Sequence, residues 1–140
     1  MKMLVVEDEV EIQREMASFL KKLSFSGNLE VAFCDNLREA KSLVEEGKAE
    51  EFCLISTDGR FLTSRPGSVF SPGLGLIFLE HLKSIDFSGH TIFYSAHDGQ
   101  VGRLKTHPML IGERKVLAIS KEIGSAEKWA KEVHRLLSKK

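Results

Sequence analysis

The chain holds only two cysteines and three prolines among its 140 residues, with a single tryptophan and a single tyrosine. Two cysteines make neither a disulfide framework nor a zinc site. Cys34 and Cys53 both lie in apolar, strand-like segments, which suits reduced, buried thiols in a cytoplasmic protein. Net charge is absent too, because 20 basic residues balance 20 acidic ones. No global field therefore recruits nucleic acid or a membrane surface. A nucleic-acid site would need a local basic patch, and the scattered Arg103, Lys105, Arg114 and Lys115 and the Lys139-Lys140 tail read as solvated surface. The apolar N-terminus is interrupted by Glu7, so no secretory signal is expected. No apolar run approaches membrane-spanning length. These absences leave a soluble, cytoplasmic protein with no nucleic-acid or membrane partner, expected as one domain over residues 1–140.

What is present begins with Met3-Leu-Val-Val-Glu-Asp-Glu9, a short apolar run ending in three carboxylates. Such a run suits a strand buried on both faces of a parallel α/β sheet. Acids crowded at its end repel one another unless a cation sits between them. Glu7 and Asp8 thus read as half of a divalent-cation site with oxygen ligands suited to Mg²⁺. The alternative is a solvated loop whose acids favour the next helix N-terminus.

Strands alternate with helices along the rest of the chain, which implies βαβ units and a largely parallel sheet. Ile12, Met16, Phe19, Leu20 and Leu23 recur at helical spacing over Val10 to Leu23. Leu29 to Cys34 predicts a second strand. Asp35 or Asn36 caps a helix carrying Leu37, Ala40, Leu43 and Val44, which Gly47 ends. Phe52 to Ile55 predicts a third buried strand, running into Ser56-Thr57-Asp58-Gly59. Leu76, Leu79 and Leu82 mark another helix, Thr91 to Ser95 a fourth strand, and Val116 to Ile119 a fifth. A short helix near Gln100 to Lys105 is weakened by Gly99 and Gly102. Ser125 caps a final amphipathic helix with Trp129, Val133, Leu136 and Leu137 on one face.

Arg60 to Gly73 departs from this rhythm. It holds Pro66, Pro72, Gly67, Ser64, Ser68 and Ser71, and is too long for an ordinary βα connection. Its Phe61, Leu62, Val69 and Phe70 argue that part of it is covered. It reads as a lid or docking surface, or as a tolerated surface insertion.

The carboxyl ends of parallel strands are where α/β folds place their ligands. Glu7 and Asp8 end the first strand, Ser56 and Asp58 the third, Ser95 the fourth and Lys121 the fifth. Together they supply carboxylates for a metal, hydroxyls and a cation, the set that phosphoryl chemistry needs.

On these residues the chain resembles the receiver domains of two-component response regulators. Leu4-Val-Val-Glu-Asp-Glu9 resembles the start of that family, and Gly75-Leu-Ile-Phe-Leu79 resembles the opening of its third helix. Ile92-Phe-Tyr-Ser-Ala96 and Leu117-Ala-Ile-Ser-Lys121 resemble its fourth and fifth strands. The resemblance implies a flavodoxin-like, doubly wound, five-stranded parallel sheet flanked by helices. It further implies a domain that is not an enzyme and accepts a phosphoryl group from a histidine kinase in the presence of Mg²⁺. Asp8 would bind the ion directly, with Glu7 assisting and Asp58 contributing, while Ser95 and Lys121 would hold phosphoryl oxygens.

Three departures bear on this. The register taken from Phe52 to Ile55 puts Ser56 at the family's phosphoacceptor position, and serine forms no acyl phosphate. Asp58 lies two residues on, roughly 6.5–7 Å along an extended strand. A bulge would make it a displaced acceptor; otherwise Asp58-Gly59 is a turn pair. Glu122 replaces the proline that usually follows the lysine, and Ala118 replaces an aromatic. The expectation is a stand-alone receiver-like domain with atypical or lost phosphorylation, acting on a kinase or another signalling protein. Its last helix and fourth-helix region would also support a homodimer.

Leu54-Ile-Ser-Thr-Asp-Gly59 also resembles the first motif of haloacid-dehalogenase-like phosphohydrolases, again with Ser56 at the nucleophile position. The five histidines (His81, His90, His97, His107 and His134) show no helical metal-ligand pairing. Gly73-x-Gly75 is too little for a dinucleotide fingerprint. Tyr94 and Trp129 read as core aromatics.

Overall fold

A computed structural model describes residues 1–25, 27–45, 48–62, 70–72, 74–96 and 116–138, with backbone alone at 60–62 and 70–72. In chain order the elements are β1 (Lys2–Val6), α1 (Val10–Lys21), β2 (Glu30–Cys34), α2 (Leu37–Val44) and a 3₁₀ turn (Lys48–Glu51). They continue with β3 (Leu54–Thr57), β4 (Arg60–Leu62), β5 (Phe70–Pro72), α3 (Leu74–Ser84), β6 (His90–Ser95), β7 (Val116–Ser120) and α4 (Ser125–Ser138).

Five strands form one parallel sheet in the order β2-β1-β3-β6-β7. This is the doubly wound arrangement anticipated above, with the order reversing beside β1 and a crevice at the strand ends there. Side-chain alternation splits the core into two layers. Leu4, Val6, Ile55 and Phe93 face α2 and α3, among Ala40, Val44, Phe78 and Leu82. Met3, Val5, Leu54, Ile92, Tyr94 and Ile119 face α1 and α4, among Met16, Leu20, Trp129 and Val133. Burial on both faces explains why β1 and β3 read as continuous apolar runs rather than alternating ones.

Local signals hold at several ends. Asn36, not Asp35, caps α2, its side chain accepting the Glu39 N–H at 2.8 Å. Helix α3 ends with Asp86 at φ +60°. There the Phe87 N–H reaches the Leu82 carbonyl and the Asp86 N–H the Lys83 carbonyl, a Schellman closure made without glycine. Gly47 and the Gln100 to Lys105 helix lie outside the described residues.

Two expectations change. The third strand runs over Leu54–Thr57, two residues later than the apolar run suggested. Phe52 instead closes the 3₁₀ turn, donating its N–H to the Ala49 carbonyl at 3.1 Å. The ends of the Arg60 to Gly73 segment pair as an antiparallel ribbon, Arg60 opposite Pro72 and Leu62 opposite Phe70. Residues 63–69 and 73 lie outside the described residues. Among the described residues, no helix is long and apolar enough to cross a membrane.

Candidate functional site

Two backbone bonds extend the central ladder one step past its last strand residues. The Glu7 N–H donates to the Cys34 carbonyl at 2.9 Å, and the Asp58 N–H donates to the Val6 carbonyl at 2.9 Å. Glu7 and Asp58 are therefore held level at the carboxyl edge of the sheet, on adjacent strands. The ladder from Met3 opposite Leu54 to Val6 opposite Thr57 is continuous, so no bulge is needed to bring Asp58 to the edge.

The register also corrects the placement of Ser56. Leu54 and Ser56 share the face covered by α1 and α4, and the Ser56 hydroxyl accepts the Trp129 Nε1–H at 2.9 Å in the buried core. The residue that meets the acids of β1 is Asp58. The slip came from starting the strand at Phe52; moving it two residues moves its end two residues. The phosphohydrolase motif has the same Ser56 at its nucleophile position, and that hydroxyl is engaged by Trp129.

Carboxylate oxygens of Glu7, Asp8 and Asp58 lie within 4.8 Å of one another. Lys121 crosses from the end of β7 to bridge two of them, 2.5 Å from Glu7 Oε1 and 3.1 Å from Asp58 Oδ2. Its backbone N–H donates to the Ser95 carbonyl at 2.9 Å, which joins the ends of β6 and β7 beneath the cluster. Ser95 is fully buried there. Thus Glu7, Asp8, Asp58 and Lys121 converge as side chains, Ser95 joins them through its backbone, and Ser56 does not.

Burial dominates the electrostatics. It raises Glu7 to about 8, with the Asp58 charge adding to the rise and Lys121 opposing it. Asp8 is raised by the same burial and by Asp58. Lys121 is also raised: its own burial acts downward, but Glu7 and Asp58 outweigh it. Three acidic side chains share a single ammonium in a poorly solvated edge, where burial favours the neutral form of Glu7. Asp8 Oδ1 is buried without a hydrogen-bond partner. Hard oxygen ligands that outnumber the local ammonium, with an orphaned buried oxygen among them, fit a divalent cation such as Mg²⁺.

Several supporting contacts had no signal in the sequence. Gln13 Nε2 on α1 donates to the Glu7 carbonyl at 2.6 Å and fixes the turn after β1. The Gly59 N–H donates to Asp58 Oδ1 at 2.7 Å, orienting the carboxylate. The Gly75 N–H donates to the Gly59 carbonyl at 3.2 Å, docking the first turn of α3 on the Asp58 loop. A Cβ at Gly75 would come within 2.1 Å of the Asp58 carbonyl oxygen, so only glycine allows that approach. His97 lies outside the described residues.

No protein-family model matches the chain, and no curated protein matches it significantly in sequence. Solved structures do match over almost its whole length. The Mn(2+)-bound form of response regulator Rcp1 superposes with a TM-score of 0.70 at 16% identity, covering 99% of this chain and 96% of that one. The phosphorylated cyanobacterial phytochrome response regulator RcpA gives 0.70 at 18% identity, over 98% and 94%. The receiver domain of Francisella response regulator 1452 gives 0.59 at 16%, over 96% of each chain. With its five parallel strands in this order and its acids at their carboxyl edge, the chain has the flavodoxin-like fold of the response-regulator receiver domains.

Proposed function

We propose that this chain is a phosphoacceptor receiver domain in which Asp58 is the acceptor. The observation that carries the reading is the contact of Lys121 with Asp58, in one cluster with Glu7 and Asp8. The phosphoryl donor is a histidine kinase, and the phosphorylated domain acts by binding a further signalling protein. The domain is the substrate of the transfer and does not turn over as an enzyme.

An Asp58 carboxylate oxygen attacks the phosphorus of a phosphohistidine. An O–P bond forms and the P–N bond breaks, with its electron pair left on the imidazole nitrogen, which takes up a proton. Glu7, Asp8 and Asp58 would hold the divalent ion, which when bound neutralises charge on the transferred oxygens. Lys121 holds the acceptor carboxylate in place and afterwards pairs with a phosphoryl oxygen. The Ser95 hydroxyl donates to another. The Gly59 N–H keeps Asp58 oriented before attack. Two relatives by fold, described as Mn(2+)-bound and as phosphorylated, support this reading.

The test is incubation with a small acyl phosphate and Mg²⁺, followed by intact mass. The expected result is one added phosphoryl group that hydroxylamine removes, absent from Asp58→Asn and retained in Ser56→Ala. No mass gain and no Mg²⁺ binding by calorimetry would instead support a constitutive docking module.

A further inference from the structure

Lys121 has a second neighbour besides the acids. Its Nζ lies 5.4 Å from the centroid of the Tyr94 ring. The same ring stacks on the Trp129 indole, with centroids 6.2 Å apart and planes at 25°. The Tyr94 hydroxyl is 2.7 Å from the Ser125 hydroxyl at the start of α4. The Ser125 Oγ also accepts the Glu122 N–H at 2.8 Å and donates to the Glu122 carbonyl at 2.7 Å. A serine hydroxyl has one proton and two acceptor sites. With its proton on Glu122, the bond between the two hydroxyls is donated by Tyr94, and Ser125 is saturated. The orientation of Tyr94 is thereby set at both ends, by Ser125 at its tip and by Lys121 and Trp129 at its faces.

This column has no slack. Trp129 is 0% and Tyr94 2% exposed, and the indole N–H is tied to Ser56 on β3. Close-packed interiors pass displacement on rather than absorb it. A cation over an aromatic face is held by about 0.5–2 kcal/mol, so the ring responds to where the ammonium sits. A phosphoryl group on Asp58 adds strong acceptors that redirect Lys121 away from its present pairing.

Resting on the reading of Asp58 as acceptor, we propose that Tyr94 and Trp129 couple Lys121 to the first turns of α4, so that the state of the acidic site is read out on that helix. Tyr94 is a positioning residue in this scheme, since it touches none of the reacting atoms.

The single tryptophan makes the test direct, because emission selected for indole reports Trp129 alone. The full chain is loaded with Mg²⁺ and beryllofluoride, a mimic of a carboxylate-bound phosphoryl group. Bound fluoride is followed by ¹⁹F resonance, and Trp129 emission is read on the same sample. The expected result is a bound fluoride signal with altered emission. In Tyr94→Leu the bound signal should persist while the emission change is lost. Tyr94→Phe keeps the ring but not its tie to Ser125. It should retain the emission change and lose the loading-dependent change in hydrogen exchange over the first turn of α4, and it carries the test should the leucine variant not fold. Bound fluoride with unaltered emission in the wild-type chain overturns the coupling and leaves the acceptor reading standing. So does a Tyr94→Leu response equal to wild type. No bound fluoride in the wild-type chain overturns the acceptor reading, and the coupling falls with it.

Discussion

The Trp129 indole N–H donates to the Ser56 hydroxyl at 2.9 Å, across 73 positions of sequence and wholly inside the core. This bond shows Ser56 as a structural partner of α4. Ser56→Ala should leave phosphoryl incorporation at wild-type level. It should cost about 1–3 kcal/mol of stability, because it strands a buried donor. Urea unfolding alongside intact mass checks both halves. Loss of incorporation with stability unchanged would return Ser56 to the site.

Gly75 presents a conflict between two effects of known size. Alanine is favoured over glycine by about 1 kcal/mol in a helix interior, and by less in the first turn where Gly75 sits. Against that, a Cβ at position 75 would stand 2.1 Å from the Asp58 carbonyl oxygen and 2.6 Å from the Gly59 Cα, both backbone atoms. Overpacking of this kind costs about 1–3 kcal/mol, and here it displaces the loop carrying Asp58. Gly75→Ala should therefore lower the unfolding midpoint and slow incorporation from an acyl phosphate. Gly27→Ala, where nothing lies within 4 Å of the added carbon, should do neither.

Lys121 is the cation paired with Glu7 and Asp58 at the edge, with its side chain only 11% exposed. Removing one partner of a buried ion pair costs about 3–5 kcal/mol at full burial, somewhat less at a sheet edge. Lys121→Met should destabilise the metal-free protein and enlarge the rise in melting temperature that added Mg²⁺ produces. Equal Mg²⁺ shifts in variant and wild type would show that the ion binds elsewhere.

Cys34, whose carbonyl accepts the Glu7 N–H, offers a separate pH signature. Burial, reinforced by the Glu39 and Asp35 charges, pushes its thiol up to about 12. In the unfolded chain a thiol titrates near about 8.5. Between those values the unfolded chain has lost a proton that the folded chain keeps, so this group lowers stability as pH rises. The slope is at most about 1.4 kcal/mol per pH unit, and the contribution vanishes below the unfolded value. Cys34→Ala should flatten the loss of stability on the alkaline side. In the native protein a thiol reagent should modify the half-buried Cys53 well before Cys34, as mass mapping would show.

Strand and helix identities, the parallel sheet and the pair Glu7-Asp8 were legible because each is written locally. Continuous apolar runs mark doubly buried strands, spaced leucines mark helix faces, and carboxylates directly after an apolar run mark a strand's carboxyl end. Ser95 and Lys121 were legible by the same logic, as polar residues ending apolar strands. Gly75 was visible only as a helix-opening glycine, and Gln13 as a polar residue on an amphipathic helix; their contacts lie with other parts of the chain.

By itself the sequence determined which segments bury and which of their ends carry charge, because burial and periodicity are properties of consecutive residues. Whether Ser56 or Asp58 stands beside Glu7 at the sheet edge was a matter of register between β1 and β3. The apolar run from Phe52 to Ile55 is compatible with either, and the ladder bonds from Met3–Leu54 to Val6–Thr57 select Asp58. That Lys121 meets Glu7 and Asp58 while also touching Tyr94 is likewise decided only in three dimensions. Side chains from four strands meet there, and no local pattern encodes the distance between groups so far apart in sequence.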